Sequence, residues 1–130
     1  MDTIQIDYLT VLIAAVLNMI IGYFWYSNWL FGPTWMKLNK IKKMESSGFN
    51  ILYDFIVSLV IVYFLAFFEV ILGITTVTDG MFVGFTFWLG FVVTTQINPV
   101  IWGKQPFRLF LLDTGYKLLS FLVMSGVIGA

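Results

Sequence analysis

An acid and a base lie four residues apart in the last apolar stretch of the chain, residues 107–130. Side chains at this spacing share one face of an α-helix, so Asp113 and Lys117 would lie close together. Lys117 would lie about 15 Å along such a helix, near the middle of a bilayer core about 30 Å thick. Ionisable groups at that depth are costly and usually face a bundle interior or a wet cavity. The pair is therefore a candidate site for moving protons, an ion or a small solute, or a fastener between helices.

The polar face of this stretch continues beyond the pair, through Ser120 and Met124 at helical spacing. Two unpaired charges near mid-span cost about 2.5–3.5 kcal/mol each, whereas each Leu, Phe, Val or Ile favours insertion by about 0.3–0.6 kcal/mol. The two sums are comparable, so we expect the helix to insert with its ionic face turned away from lipid. We expect Asn18, Thr94 and Thr95 to be among the neighbours of that face.

The composition of the chain argues against most kinds of catalytic and metal site. Of its 130 residues, 60% are hydrophobic and 11% are charged, whereas soluble domains carry about 25% charged residues. Cysteine and histidine are absent, which removes thiolate nucleophiles and imidazole ligands, so any metal would be a hard cation held by oxygen. No set of nucleophile, base and orienting group is readable, and we expect no enzyme activity, no cofactor and no metal site. Net charge is zero, without a basic run interleaved with aromatics, so nucleic acid is not an expected partner.

Four apolar segments are long enough to cross a bilayer, at about residues 8–28, 51–74, 81–101 and 107–129. This pattern predicts an all-α, polytopic membrane protein with four transmembrane helices in a compact bundle. We expect the whole chain, residues 1–130, to form this single domain.

The charges between the segments predict how the chain is oriented. Basic residues fall on one side of a four-span chain, after the first and third segments: Lys37, Lys40, Lys42, Lys43, Lys104 and Arg108. The other side carries Asp2, Asp7 and Asp79 and no basic residue. The positive-inside rule then places both termini on the non-cytoplasmic side of the inner (cytoplasmic) membrane, which the chain crosses several times.

Small residues recur at helical spacing in several segments. Ala14 and Gly22 lie one turn to either side of Asn18, so another helix could pack closely there while Asn18 hydrogen-bonds across the contact. Two further pairs offer contact surfaces for helices of the same chain or of a second copy: Gly80 with Gly84, and Ser125 with Gly129.

The second segment carries two further acids that could take part in a site. We expect Asp54 in the first turn, where a carboxylate complements the helix dipole. Glu69 lies near the far end, where it reaches the opposite interface unless the helix shifts to bury it. We therefore treat both as secondary candidates.

Aromatic residues gather around the ends of the first and third segments. An apolar ring with a polar edge suits a membrane interface, so these residues are expected to anchor the chain there rather than to bind a ligand: Trp25, Tyr26, Trp29, Trp35 and Trp102. Pro99, close to Trp102, either breaks the helix at membrane depth, as in some ion paths, or marks a helix that frays at the interface. We favour fraying.

Three motifs give the chain a family resemblance. WYSNWLFGPTW occupies residues 25–35, WLGFVVTT residues 88–95 and PFRLFLLDTGY residues 106–116. In that order they resemble small membrane proteins, mainly bacterial and archaeal, that are catalogued as domain of unknown function 1761. The resemblance covers nearly the whole chain and implies a four-helix membrane protein without an established activity. In that family a histidine often follows the GY, where this chain has Lys117.

Of three functional classes, an intramembrane enzyme is disfavoured because no catalytic set is readable without His or Cys, and two classes remain open. The first is transport of protons, an ion or a small solute through the buried Asp113–Lys117 pair. Four short helices leave little room for a pore in one copy, so transport would need an oligomer. The second is a non-catalytic accessory, assembly or structural subunit of a membrane complex, in which the pair fixes helix packing. The expected partners are the lipid bilayer and either further copies of the chain or a larger complex.

Overall fold

The protein is built from helices, and the computed structural model describes residues 6–27, 30–39 and 48–130. In chain order the helices are α1 (Tyr8–Trp25), α2 (Gly32–Leu38), α3 (Gly48–Leu72), α4 (Val77–Phe87), a π-helix (Trp88–Val93), α5 (Thr94–Gln96), α6 (Asn98–Trp102) and α7 (Phe107–Gly129). These three described ranges contain no strand.

Four helical stretches are long and apolar enough to cross a membrane: Tyr8–Trp25, Gly48–Leu72, Val77–Trp102 and Phe107–Gly129. Their mean hydropathy ranges from 1.4 to 2.7. The third stretch joins α4, the π-helix, α5 and α6 into one span. The predicted all-α class, with four helices suited to a membrane, is confirmed.

Capping side chains determine where two of the spans begin. The Asp7 carboxylate accepts a hydrogen bond from the Thr10 hydroxyl at 2.7 Å and bonds from two backbone amides at 3.1 and 3.4 Å. These bonds, the one from the hydroxyl above all, hold the pKa of Asp7 below its usual value. Thr76 caps α4 by accepting from the Asp79 amide at 3.1 Å. The third span therefore begins at Val77, earlier than the start at about residue 81 that the apolar pattern predicted.

The turn between α3 and α4 is a glycine-terminated helix end. Gly73 has a φ of +71°, a left-handed conformation that glycine adopts without a Cβ penalty. Its amide donates to the Val70 carbonyl at 3.1 Å, and the Ile74 amide donates to the Glu69 carbonyl at 2.9 Å. This is the bonding pattern of a Schellman motif, and it fixes the last turn of α3, which carries Glu69.

Three of the spans share one apolar core. α1, α3 and α7 contribute the buried side chains Val11, Ala14, Ala15, Val62, Leu65, Ala66 and Met124. α4 lies outside this core and packs mainly on α7, through the buried residues Gly80, Val83 and Gly84. Most remaining large apolar side chains point outwards, as a lipid-facing surface requires.

The third span departs from α-helical geometry in its middle, where residues 88–93 form the π-helix. Next to it, the hydroxyls of Thr94 and Thr95 donate to the carbonyls of Gly90 and Phe91 at 2.7 and 2.5 Å. Pro99 lies at the start of α6, where a missing amide proton is tolerated. Helical backbone therefore continues to Trp102, and the irregular turn comes well before the proline that the sequence singled out.

Candidate functional site: a buried glutamate

Glu69 is the most deeply buried acid in the described part of the chain. Only 1% of its surface is exposed, and neither carboxylate oxygen has a hydrogen-bond partner. It continues the inward face of α3, which carries Ser58, Val62, Leu65 and Ala66 at the spacing of successive helical turns. The same periodicity that buries these neighbours turns Glu69 away from the interface.

Two glycines on facing helices make room for the carboxyl group. A Cβ atom on Gly80 of α4 would lie 2.8 Å from Glu69 Oε1 and would overlap the carbonyl oxygen of Ser125. A Cβ atom on Gly129 of α7 would lie 3.2 Å from the same Oε1 and would overlap the carbonyl oxygen of Thr76. The carboxyl group thus lies against backbone that only glycine can provide.

A second unpartnered oxygen lies beside this group. The Ser125 hydroxyl is fully buried without a hydrogen bond, and a Cβ atom on Gly84 would lie 2.5 Å from it. Predicted small-residue pairs therefore meet here: α4 contributes Gly80 and Gly84, and α7 contributes Ser125 and Gly129. We call these residues with Glu69 the glutamate site.

The electrostatics of the glutamate site favour a carboxyl group that carries no uncompensated charge. An ionised carboxylate without partners in a dry interior costs several kcal/mol, so the group binds a proton or a cation instead. No basic side chain in the described ranges forms an ion pair with Glu69. Nor do these ranges hold any group of three or more Asp or Glu side chains that could bind a metal ion together. One proton or one cation would be enough to neutralise this carboxyl group.

A second polar cluster joins three helices of the bundle. Asn18 is 6% exposed, and its amide nitrogen donates to the Ser58 hydroxyl at 2.7 Å. Its side-chain oxygen accepts from the Tyr116 hydroxyl at 3.0 Å and from the Ser120 hydroxyl. Asn18 thus connects α1 with α3 and α7, and the structure brings it together with Ser120 as expected. Gly22, one turn along α1, gives the Tyr116 ring room, since a Cβ atom there would lie 3.0 Å from its hydroxyl.

The expected buried ion pair between Asp113 and Lys117 is not seen. Both side chains are half-buried, and no ion pair between them appears among the described residues. Asp113 accepts a hydrogen bond of 2.6 Å from the Tyr26 hydroxyl instead. The end of α1 packs against the start of α7, where the Trp25 indole also donates to the Leu112 carbonyl at 3.2 Å. Tertiary packing therefore gives Asp113 a phenol as its partner, which spacing within α7 alone does not reveal.

The predicted interfacial aromatics occupy different environments. Trp25 and Tyr26 are half-buried in the contact with α7, and the Trp35 ring meets that of Tyr26 edge-on, with centroids 5.7 Å apart. Trp102 is 84% exposed, whereas Trp29 lies outside the described residues.

The remaining candidates form no hydrogen bond with either polar group among the described residues. Thr94 and Thr95 are exposed and bond to carbonyls of their own helix, so they do not join the polar face of α7 in the described structure. Asp54 is exposed and lies beyond the first turn of α3, because that helix begins at Gly48. Ala14 lies in the apolar core.

An apolar layer separates the Asn18 cluster from the glutamate site. Along α3, Ser58 and Glu69 are eleven residues apart, which is about 16 Å on a helix. Val62, Leu65 and Ala66 lie between them, and Met124 of α7 packs against the same layer with no exposed surface. No continuous hydrogen-bonded connection joins these two polar regions among the described residues.

The sequence contained a signal for the glutamate site, although it pointed to Glu69 only as a secondary candidate. Glu69 follows Leu65 and Ala66 at i+4 and i+3, so the core face of α3 includes it. The hydropathy pattern alone placed it near an interface. Combining the helical face with the facing glycines would have identified a small, dry space large enough for a carboxyl group.

Comparison with known proteins identifies the family of the chain. Residues 9–129 match the family described as "Protein of unknown function (DUF1761)". The chain belongs to this family. Neither a curated protein nor a solved structure matches it.

Proposed function

We propose that this member of the DUF1761 family transports protons or a small cation across a membrane, with Glu69 as the group that binds and releases the ion. The observation that carries the proposal is the fully buried carboxyl group whose two oxygens have no hydrogen-bond partner. Ionisable side chains inside membrane helices commonly mark ion pathways and proton relays. Glu69 thus takes the ion-binding role that the sequence suggested for the Asp113–Lys117 pair.

The arrangement of polar groups supports transport by alternating access. The apolar layer around Met124 separates the Asn18 cluster from the glutamate site. An ion held at Glu69 could reach the Asn18 cluster only if this apolar layer opened. Movement of broken or shifted helices opens such layers in many membrane transporters. The π-helix in the third span is a deformable turn next to α7, to which Trp88 donates a hydrogen bond of 2.8 Å at the Thr114 carbonyl.

The charge distribution supports an orientation for this transport. Basic residues lie around α2 and before α7, whereas the end with the glutamate site carries Asp7 and Asp79. By the positive-inside rule, both termini and Glu69 face the non-cytoplasmic side of the cytoplasmic membrane of a bacterial or archaeal cell. The transporter would work as an oligomer, because one copy of four helices closes its own core.

Flux through purified protein in liposomes tests the proposal. Vesicles with a trapped pH-sensitive dye receive a potassium diffusion potential, and proton uptake is followed with and without sodium. We expect wild-type protein to increase the flux and Glu69→Gln to reduce it to that of protein-free vesicles, since an amide cannot exchange a proton at neutral pH.

Asp113→Asn is the matched control for this experiment. It also replaces one acid by its amide, but its oxygen can still accept from Tyr26, so flux should persist. Both variants must elute from a sizing column as wild type does. Wild-type flux in Glu69→Gln would overturn the role of Glu69.

An accessory or structural subunit is the second candidate function. Its support is the exposed apolar surface of the third span, since only 17% of the most apolar stretch of that span is buried within one copy. Between this span and α3 lies an open apolar groove of about 260 Å³, lined by residues that include Phe64, Phe68 and Phe91. If wild-type protein gives no flux of any tested ion, and mild detergent releases it only within a stoichiometric larger complex, this candidate replaces transport.

A further inference from the structure

We propose that Glu69 and Ser125 form a binding site for a dehydrated monovalent alkali cation, which competes with a proton for the Glu69 carboxylate. This inference rests on the proposed function, because it names the ion that Glu69 exchanges. It depends on the two side chains that are fully buried and yet have no hydrogen-bond partner.

Neither side chain forms a hydrogen bond, although both lie against glycines of α4. Glu69 Oε1 lies next to Gly80, and Ser125 Oγ lies next to Gly84, one turn along α4. They form no hydrogen bond to each other. Buried polar atoms are nearly always satisfied. Two unpartnered oxygens beside successive turns of α4 therefore leave capacity to bind a ligand.

Backbone carbonyls add further oxygen atoms to the same place. The Ser125 carbonyl lies against Gly80, and the Thr76 carbonyl lies against Gly129, next to the same carboxylate oxygen. The Thr76 carbonyl already accepts from the Gly80 amide at 3.0 Å, but a carbonyl oxygen has a second lone pair. Carbonyl and carboxylate oxygens are the ligands that replace the hydration shell of hard cations.

The charge of the site fits one monovalent cation. Glu69 is the only buried acid among the described residues, which contain no group of three or more acids that could share a metal ion. A monovalent ion would neutralise the carboxylate, whereas a divalent ion would leave a positive charge in a dry interior. With no histidine or cysteine in the chain, the oxygen ligands select against softer metals.

The surrounding helix ends are compatible with a positive ion. Glu69 lies in the last turn of α3, where backbone carbonyls carry partial negative charge. The opposing positive end of α4 is already compensated by the Thr76 cap and by Asp79 in its first turn. The charged groups nearest to this end in sequence are thus acidic, and no basic side chain of the described ranges pairs with Glu69.

Labelling with a hydrophobic carbodiimide tests the site directly. The reagent takes up the proton of a neutral carboxyl group while the carboxyl oxygen adds to its central carbon; an acyl shift to nitrogen then gives a stable adduct without a leaving group. Protein in lipid nanodiscs is labelled in choline buffer over a range of pH, and the adduct is located by peptide mass spectrometry. We expect Glu69 to be labelled as pH falls, and added sodium or potassium to protect it far better than an equal concentration of added choline.

Ser125→Ala separates a cation site from a merely protonated acid. The variant should still be labelled, but the sodium concentration needed for protection should rise about tenfold, as expected for loss of one ligand worth an ordinary charge-assisted hydrogen bond. Equilibrium binding of radioactive sodium to wild type and to Glu69→Gln gives a second measurement that does not depend on the folding of the serine variant.

Each failure has a distinct meaning. Labelling of Glu69 that no salt affects, or sodium protection unchanged in Ser125→Ala, would overturn the cation site and leave proton exchange in place. Sodium binding that persists undiminished in Glu69→Gln would also overturn it. Absence of labelling at every pH would count against the proposed function itself.

Discussion

At the scale of single residues, the partner of an acidic side chain is decided by neighbouring helices rather than by its own. Asp113 and Lys117 have the spacing of an intrahelical pair, yet Asp113 bonds to Tyr26 at 2.6 Å. The Tyr26 ring is also held between those of Trp35 and Tyr116, at centroid distances of 5.7 and 5.3 Å. The phenol is thus positioned by packing before it donates its hydrogen bond.

This arrangement predicts unequal effects of two substitutions. Tyr26→Phe keeps the ring contacts and removes only the hydroxyl, so it should lower the free energy of unfolding by about 1 to 3 kcal/mol, the cost of leaving a buried acceptor without its donor. Lys117→Met removes the charge that spacing alone would pair with Asp113, and should change stability by no more than about 0.5 kcal/mol. Equilibrium unfolding in mixed detergent micelles measures both. A larger loss in Lys117→Met than in Tyr26→Phe would restore the ion pair as the main interaction.

The sequence predicted the environment of some polar residues and not of others, because spacing within one helix does not reveal which helices pack beside it. Asn18 was expected to hydrogen-bond across a helix contact, and it does so with Ser58 and Ser120. Glu69 was underestimated, because depth was estimated from the ends of an apolar segment. Its burial depends on Gly80 and Gly129, which belong to other helices and become relevant only when the helices pack.

At the scale of elements, the approach of α4 to α7 depends on glycine at specific positions. A Cβ atom on Gly80 would overlap the Ser125 carbonyl and approach the Glu69 carboxyl group, whereas one on Gly90 would meet nothing within 4 Å. Alanine at each of the two positions therefore distinguishes the effect of close packing on stability from the effect of helix propensity.

We predict that Gly80→Ala destabilises the protein by about 1 to 3 kcal/mol, the usual cost of forcing extra volume into a packed contact. Gly90→Ala should be neutral or stabilising by up to about 1 kcal/mol, since alanine favours helical backbone over glycine. Unfolding free energies in detergent and the flux assay measure the effects, and Gly80→Ala should also reduce flux. Equal stability of the two variants would show that α4 and α7 do not approach as closely as the structure has them.

Hydropathy identified the elements, but not how they begin, end or deform. The four spans follow from apolar length, which the bilayer dictates. The start of α4 depends on the Thr76 cap, and the end of α3 on the left-handed Gly73, both of which are local signals weaker than hydropathy. The π-helix at residues 88–93 has no such signal, because its apolar sequence is equally compatible with an ordinary α-helix.

At the scale of the whole molecule, the four spans are held together by two sets of helix contacts. α1, α3 and α7 enclose an apolar core, and α4 joins them through its contact with α7. The Asn18 cluster connects α1, α3 and α7, and the glutamate site lies where α4 and α7 meet the end of α3. Ion uptake at Glu69 would therefore act on the α4–α7 contact, which is the contact that a transport cycle could open without disrupting the core.

The direction of such a cycle depends on the orientation of the chain, which the loop charges predict. Lys37, Lys104 and Arg108 belong to one side, and Asp7 and Asp79 to the other. Because positively charged loops are retained in the cytoplasm, the turn between α3 and α4 should lie outside, close to Glu69. The glutamate site would then load from the outside.

Thiol labelling in intact cells measures this orientation cleanly, since the chain contains no cysteine. Thr75→Cys, in the exposed turn before α4, and Thr34→Cys, on the exposed face of α2, change no charge and introduce one thiol each. We expect a membrane-impermeant maleimide to label Thr75→Cys in intact cells, and Thr34→Cys only after the membrane is permeabilised. The reverse pattern would place Glu69 on the cytoplasmic side and reverse the proposed direction of loading. Labelling of both from outside would contradict the single orientation that the loop charges predict.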